Sequence, residues 1–195
     1  YVKRLVLGKC FTLGQVWIGG KLQCYACEDR DRGLVWDGKL VKPNRNTKVP
    51  KQTAIPVGKY EITFRPSGMD PIGGDTGVIN IGGRWHKPTV RDIGTNGESL
   101  ADRLFGKVRW HSGNHANNTD GCLLLGKMVY GDVSKYEKDA KGSGNLKTSI
   151  VCESKQTCKV VIGLVYDKWK KLNAQKKPLY VVYTYADNCK DYRNS

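Results

Sequence analysis

Only one stretch of this chain spaces its apolar residues as a helix does. Cys158, Val161, Ile162, Val165, Trp169 and Leu172 recur at three- and four-residue intervals. Ser154 stands where a helix cap would sit. Lys168, Lys170 and Lys171 place positive charge against the negative end of the helix dipole, and Pro178 bars continuation. Gly163 inside the segment weakens it modestly. Elsewhere the apolar residues fall in short runs bounded by Gly, Pro and polar clusters, and 23 glycines suit a chain of many turns. The expected fold is therefore mostly β (α+β): a β-sandwich or mixed-sheet core with one principal C-terminal helix. At 195 residues, a single domain over 1–195 is the expectation.

The strands follow from the same pattern. Residues 1–7 alternate in part. Residues 11–18 and 21–28 flank Gly19-Gly20, whose freedom to take positive φ suits a tight hairpin turn. Residues 60–64, 77–81, 108–110, 123–125, 148–152 and 179–185 read as further strands. Between them, residues 37–52 and 66–77 read as loops, 82–106 as one long connection, and 131–147 as a polar excursion. Glu28-Asp29-Arg30-Asp31-Arg32, dense in both signs, is expected to be a solvated or self-paired turn.

The charge is strongly one-sided. Thirty-three Lys and Arg against 18 Asp and Glu give a net +15. That favours polyanionic surroundings, or else a simple solvated basic surface. The basic runs, 39–51 and 168–177, do not interleave aromatics in a nucleic-acid motif, so nucleic acid is not the expected partner. No apolar run reaches membrane-spanning length. No secretion signal is visible, and opening on Tyr1 rather than Met is compatible with an upstream segment having been removed. Of the seven cysteines, Cys24 and Cys27 have metal or redox spacing. They sit in an alternating run that would send them to opposite faces of a strand, so both are expected to be buried thiols. Neither a metal nor a cofactor is called for.

Chemistry concentrates in Trp110-His111-Ser112-Gly113-Asn114-His115-Ala116-Asn117-Asn118-Thr119-Asp120-Gly121-Cys122. This is a polar loop between two short apolar runs. A thiol needs a base to become a nucleophile near neutral pH. His111 ends one predicted strand and Cys122 begins the next, so the two can meet. Gly121 allows close backbone approach and exposes amides of the kind an oxyanion hole requires. The alternative is a turn with a buried cysteine and a hydrogen-bonded histidine.

His111-Ser112 followed by Thr119-Asp120-Gly121-Cys122 resembles the signature of L,D-transpeptidase catalytic domains. That resemblance makes His111 the base, Cys122 the nucleophile, Gly121 the glycine before it and Thr119 the Ser/Thr position. Three further stretches resemble a domain family of bacteria and phages with a similar His-to-Gly-Cys segment. They are Cys27-Glu28-Asp29-Arg30-Asp31-Arg32-Gly33-Leu34, Thr53-Ala54-Ile55-Pro56-Val57-Gly58-Lys59-Tyr60, and His111-Ser112-Gly113-Asn114 with Gly121-Cys122. Together with the terminal helix and strand, the second resemblance spans most of the chain. Against the transpeptidase pattern, Asp120 replaces a histidine, Leu123-Leu124 replaces an apolar residue followed by Arg or Asn, and the His111–Cys122 spacing is short.

What these resemblances imply is a cysteine-dependent enzyme acting on peptidoglycan stem peptides, by transpeptidation or by carboxy- or endopeptidase action through a Cys122 thioacyl intermediate. Ser112 would orient His111 through its carbonyl or hydroxyl. Substrate contacts would come from Arg84, Trp85, Arg109, Asn114, His115, Thr119 and Asp120, with solvated or core roles the alternative for Arg84, Trp85 and Arg109. The rival reading is a non-catalytic virion or secretion-apparatus component that keeps the fold and binds wall polymer or other proteins of the assembly. The corresponding locations are the periplasm, the cell wall or a virion, with the cytoplasm left open.

Overall fold

The computed structural model describes residues 1–36, 40–41, 52–66, 79–81, 84–92, 108–129 and 150–193. In chain order the strands are β1 (Val2–Leu7), β2 (Phe11–Ile18), β3 (Lys21–Asp29), β4 (Val35–Trp36), β5 (Leu40–Val41), β6 (Gly58–Pro66), β7 (Ile79–Ile81), β8 (Arg84–Asp92), β9 (Trp110–His111), β10 (Leu123–Gly126), β11 (Met128–Val129), β12 (Val151–Cys152) and β13 (Leu179–Asp191). A 3-10 turn covers Ala116–Asn118, and one helix, α1, covers Ser154–Ala174. The fold is mostly β, of the α+β class.

Among the described residues, nine strands form one mixed sheet in the order β7-β8-β6-β13-β1-β2-β3-β10-β9. The β1–β13 and β9–β10 pairs are parallel. The sheet curls: Thr89 in β8 bridges to Arg109, just before β9, so the two ends of the strand order meet. The β2–β3 hairpin turns through Gly19 (φ 60°) and Gly20 (φ 78°), positive angles that glycine adopts without steric cost.

Alternation along the strands builds two cores. One face packs Val2, Val16, Ala26, Tyr60, Trp110 and Leu123 against α1, which contributes Cys158, Val161, Ile162 and Val165. These helix positions are the ones that its sequence spacing picks out. Inside this core the Trp110 indole N–H donates to Tyr183 Oη at 3.0 Å. The opposite face packs Val6, Phe11, Leu13 and Leu124 beneath Ala116, Ile150 and Val151. Cys24 lies in the first core and Cys27 in the second, on opposite faces as their spacing predicts. Burial pushes the Cys24 thiol up to about 12 and Cys27 well above its ordinary value. None of the seven cysteines is in a disulfide.

Four expectations need correction. The long connection over 82–106 contains the nine-residue strand β8. The loop over 37–52 contributes β5, which pairs with β4. Ser154 is not the cap of α1 but its first residue: Glu153 holds the cap position, at φ 52° and ψ 34°. The segment Glu28 to Arg32 is neither a solvated nor a simply self-paired turn: Glu28, Asp29 and Asp31 are buried, and Glu28 and Asp31 pair with Arg4 on β1. The excursion 131–147 and most of the loops 37–52 and 66–77 lie outside the described residues. No helix among the described residues is long and apolar enough to cross a membrane.

The buried acids have a buried partner. Arg4 on β1 is 1% exposed. It grips Glu28 with two hydrogen bonds, of 2.9 and 2.8 Å, and donates to Asp31 at 2.8 Å and to the Ile55 carbonyl at 2.7 Å. Asp31 also accepts from Tyr185 Oη at 2.9 Å and Arg193 Nη1 at 3.2 Å. Burial alone would lower the Arg4 pKa, but Glu28 and Asp31 more than offset it and hold the guanidinium charged. This network joins β1, the end of β3 and β13, next to the loop that carries Cys122.

Candidate active site

The parallel pair β9–β10 positions the loop between them. Trp110 pairs with Leu123 and His111 with Leu124. Trp110 and Leu123 point into the helix-side core, so His111 shares the opposite face with Leu124. Carried one residue back from Leu123, the register sets Cys122 beside Arg109, whose amide its sulphur meets. Because the pair is parallel, the end of β9 does not adjoin the start of β10 as the sequence suggested: His111 lies two residues further along the ladder than Cys122, whose neighbour is Arg109.

His111 is oriented by its neighbour. Its Nδ1 lies 2.7 Å from the Ser112 carbonyl oxygen. A carbonyl can only accept, so Nδ1 carries the proton and a neutral ring leaves Nε2 as the basic nitrogen. This is the carbonyl alternative of the role expected of Ser112. His111 to Asn114, with Asn118 and residues 153–156 at the start of α1, lines an open cleft of about 690 Å³. Cys122 is not part of that lining among the described residues.

The Cys122 turn is built by hydrogen bonds rather than by apolar packing. Thr119 is buried, and its Oγ1 accepts from the Cys122 amide at 2.5 Å and donates to the Cys122 carbonyl at 3.0 Å. The Gly121 amide donates to Asp29 Oδ2 at 2.6 Å. Gly121 sits at φ +105°, and a Cβ there would lie 3.3 Å from the Thr53 carbonyl. Glycine is therefore favoured on both counts. In this arrangement the Gly121 and Cys122 amides are engaged, so neither is free to hold an oxyanion as the sequence suggested. The amide directed at the sulphur is that of Arg109, which donates to Sγ at 3.3 Å.

The thiol of half-buried Cys122 is raised above its ordinary value, chiefly by burial; the Arg109 amide, Thr119 and the Arg109 charge act the other way. Asp29, 5% exposed, is pushed up to about 8 by burial, with Glu28 and Asp120 adding to the rise and the Gly121 amide opposing it.

The other predicted site residues divide. Arg109 and Thr119 touch Cys122 directly. Asn114 lines the cleft with His111, and its carbonyl accepts from the Ile150 and Val151 amides. His115 begins the 3-10 turn, with burial lowering its pKa. Asp120 is exposed beside Gly121, and its charge acts on Asp29. Arg84 and Trp85 lie on β8, paired with Ile81 and Asn80, and their side chains are outside the described structure.

Sequence reasoning missed Asp29 and Ser154. Asp29 hid in a mixed-charge run, although the same run carries the second family resemblance. The Ser154 hydroxyl donates to the Leu125 carbonyl and accepts from the Gly113 amide, at 2.5 and 2.9 Å, joining α1 to β10 and to the His111 loop.

Compared with protein-family models, curated proteins and solved structures, the chain matches none of them.

Proposed function

We propose that this chain is a cysteine-dependent acyltransferase of the L,D-transpeptidase type, acting on peptidoglycan stem peptides. The observation that carries the reading is the orientation of His111. A histidine whose Nδ1–H is held by the next residue's carbonyl keeps Nε2 as its basic nitrogen, on the strand that neighbours the start of β10, where Cys122 sits. In the proposed reaction Nε2 takes the thiol proton and the thiolate attacks the carbonyl carbon of an L,D peptide bond. As the C–N bond breaks, the imidazolium returns its proton to the leaving amine, and the thioester then passes its acyl group to an amine or to water. Cys122 is the nucleophile, His111 the base and Ser112 its positioning residue. Gly121 is the hinge of the turn. Arg109, Asn114, His115, Thr119 and Asp120 surround the two, and Arg84 and Trp85 are carried as substrate contacts by the sequence alone.

A second reading has its own support. Because the Gly121 and Cys122 amides are engaged, the observed arrangement also suits a non-catalytic virion or secretion-apparatus component that keeps the fold and binds wall polymer through its basic surface. One experiment separates them. The chain is incubated with a tetrapeptide stem and an amine acceptor, and intact mass is followed. The enzyme reading expects a thioester adduct on Cys122 and released D-amino acid. It also expects loss of about three or more orders of magnitude in rate in Cys122→Ser and His111→Ala. Absence of both adduct and release, from a chain that still binds wall polymer, supports the second reading.

A further inference from the structure

The acid that holds the Cys122 turn comes from the far side of the sequence. Asp29 ends β3, 92 residues before Gly121, and its Oδ2 accepts the amide one residue ahead of the thiol. Asp29 and Cys122 are drawn together by the β3–β10 pairing, in which Cys27 lies opposite Leu124. Around Asp29 stand Glu28 and Cys27 on its own strand, Arg32 just beyond it, and Asp120 and Cys122 on the turn it faces. Around Cys122 stand Arg109 and Asp29. A buried carboxyl and a half-buried thiol in one small volume cannot both ionise cheaply, because each negative charge opposes the other.

We propose that Asp29 is a positioning residue for Cys122: it holds the turn that presents the thiol, and its charge governs whether a thiolate forms beside it. The proposal deepens the cysteine reading above, since it assigns the control of that cysteine. A protonated Asp29 keeps a carbonyl oxygen for the Gly121 amide, so the turn survives while the opposing charge is gone. An ionised Asp29 holds the same amide and raises the energy of the thiolate. The burial that lifts Asp29 to about 8 places this change just above neutrality.

The test reads thiol chemistry without any substrate, so a chain that turns over no peptide still answers it. Iodoacetamide labelling of the Cys122 peptide is followed by mass spectrometry from about pH 6 to about pH 10, in wild type and in Asp29→Asn. Asparagine retains the acceptor for Gly121 and carries no charge. Below about pH 7 the two proteins should label alike, because wild-type Asp29 is already neutral. Near pH 9 the variant should label about 3- to 10-fold faster. Superimposable profiles over the whole range overturn the proposal. Should Asp29→Asn not fold, the carboxyl carbon of Asp29 in wild type is titrated by NMR. A midpoint near 8, with wild-type Cys122 labelling that lags a single thiol titration curve above that midpoint, supports the coupling; a midpoint in the ordinary carboxylate range, or labelling that follows one simple thiol titration, overturns it.

Discussion

Gly121 is where the site is most constrained by a single residue. Its φ of +105° is open to glycine and strained for residues with a Cβ, and an added methyl would press on the Thr53 carbonyl. Gly121→Ala should cost about 1–3 kcal/mol, measurable by urea unfolding. It should also swing the amide off Asp29, so that Cys122 loses its distinctive labelling rate relative to other partly exposed thiols such as Cys152 and Cys189. Equal stability and equal Cys122 labelling in the variant would show that the turn accepts a side chain. The residues of this turn were legible in the sequence to different degrees. His111, Ser112, Gly121 and Cys122 announce themselves, because reactive types crowd a polar loop between two apolar runs. Asp29 does not: nothing local separates it from its neighbours in Glu28-Asp29-Arg30-Asp31-Arg32. What singles it out is a partner 92 residues away, just as Glu28 is defined by Arg4.

At the scale of elements, the helix and the hairpin could be read directly, one from its 3.6-residue spacing and the other from Gly19-Gly20. Strand β8 could not. Arg84-Trp85-His86-Lys87-Pro88-Thr89-Val90-Arg91-Asp92 has no clean alternation, and Pro88 removes a ladder donor. Its strand character comes from pairing with β6 from His86 to Asp92 and with β7 from Arg84 to His86. The start of α1 was misplaced by one residue for a similar reason: a serine before an apolar repeat looks like a cap, but Ser154 works across the molecule, on Leu125 and Gly113. Ser154→Ala should therefore cost more than an exposed helix position would. About 1–3 kcal/mol is expected, since the buried Leu125 carbonyl and the Gly113 amide both lose a partner. Thermal unfolding gives the stability change. Hydrogen exchange should show faster exchange at Gly113 with α1 otherwise protected; unchanged exchange there would mean that the hydroxyl does not tie the loop.

For the molecule as a whole, the buried network around Arg4 ties β1 to the end of β3 and to β13. Its acids are nearly sealed from water, and removing the guanidinium alone leaves Glu28 without the cation that grips it and Asp31 with Arg193 as its remaining cation. Arg4→Met should destabilise by about 3–5 kcal/mol. The triple replacement of Arg4, Glu28 and Asp31 by apolar residues of similar volume should recover most of it, by chemical denaturation at neutral pH. A triple variant as unstable as the single one would mean that the network does more than neutralise its own charges. The overall class could be read from composition and spacing, whereas the curl that brings β9 back to β8 could not, because it hangs on one bridge between residues of unremarkable type.

The place of β13 in the sheet has a consequence for how the protein is made. The strand lies between β6 and β1, in the middle of the order, and pairs Val2 with Tyr183. A ribosome that has released everything up to α1 has therefore produced two half-sheets, β7-β8-β6 and β1-β2-β3-β10-β9, which meet at the Thr89–Arg109 bridge but each have an unpaired edge where β13 belongs. Those edges are joined only when the stretch from Leu179 onward emerges. Until then β1 and β6 are templates for any passing strand, and closing so distant a pairing is intrinsically slow. A nascent chain stalled before Leu179 should thus be a strong client for chaperones that shield strand edges, and the same chain a few residues past Asp191 should let them go.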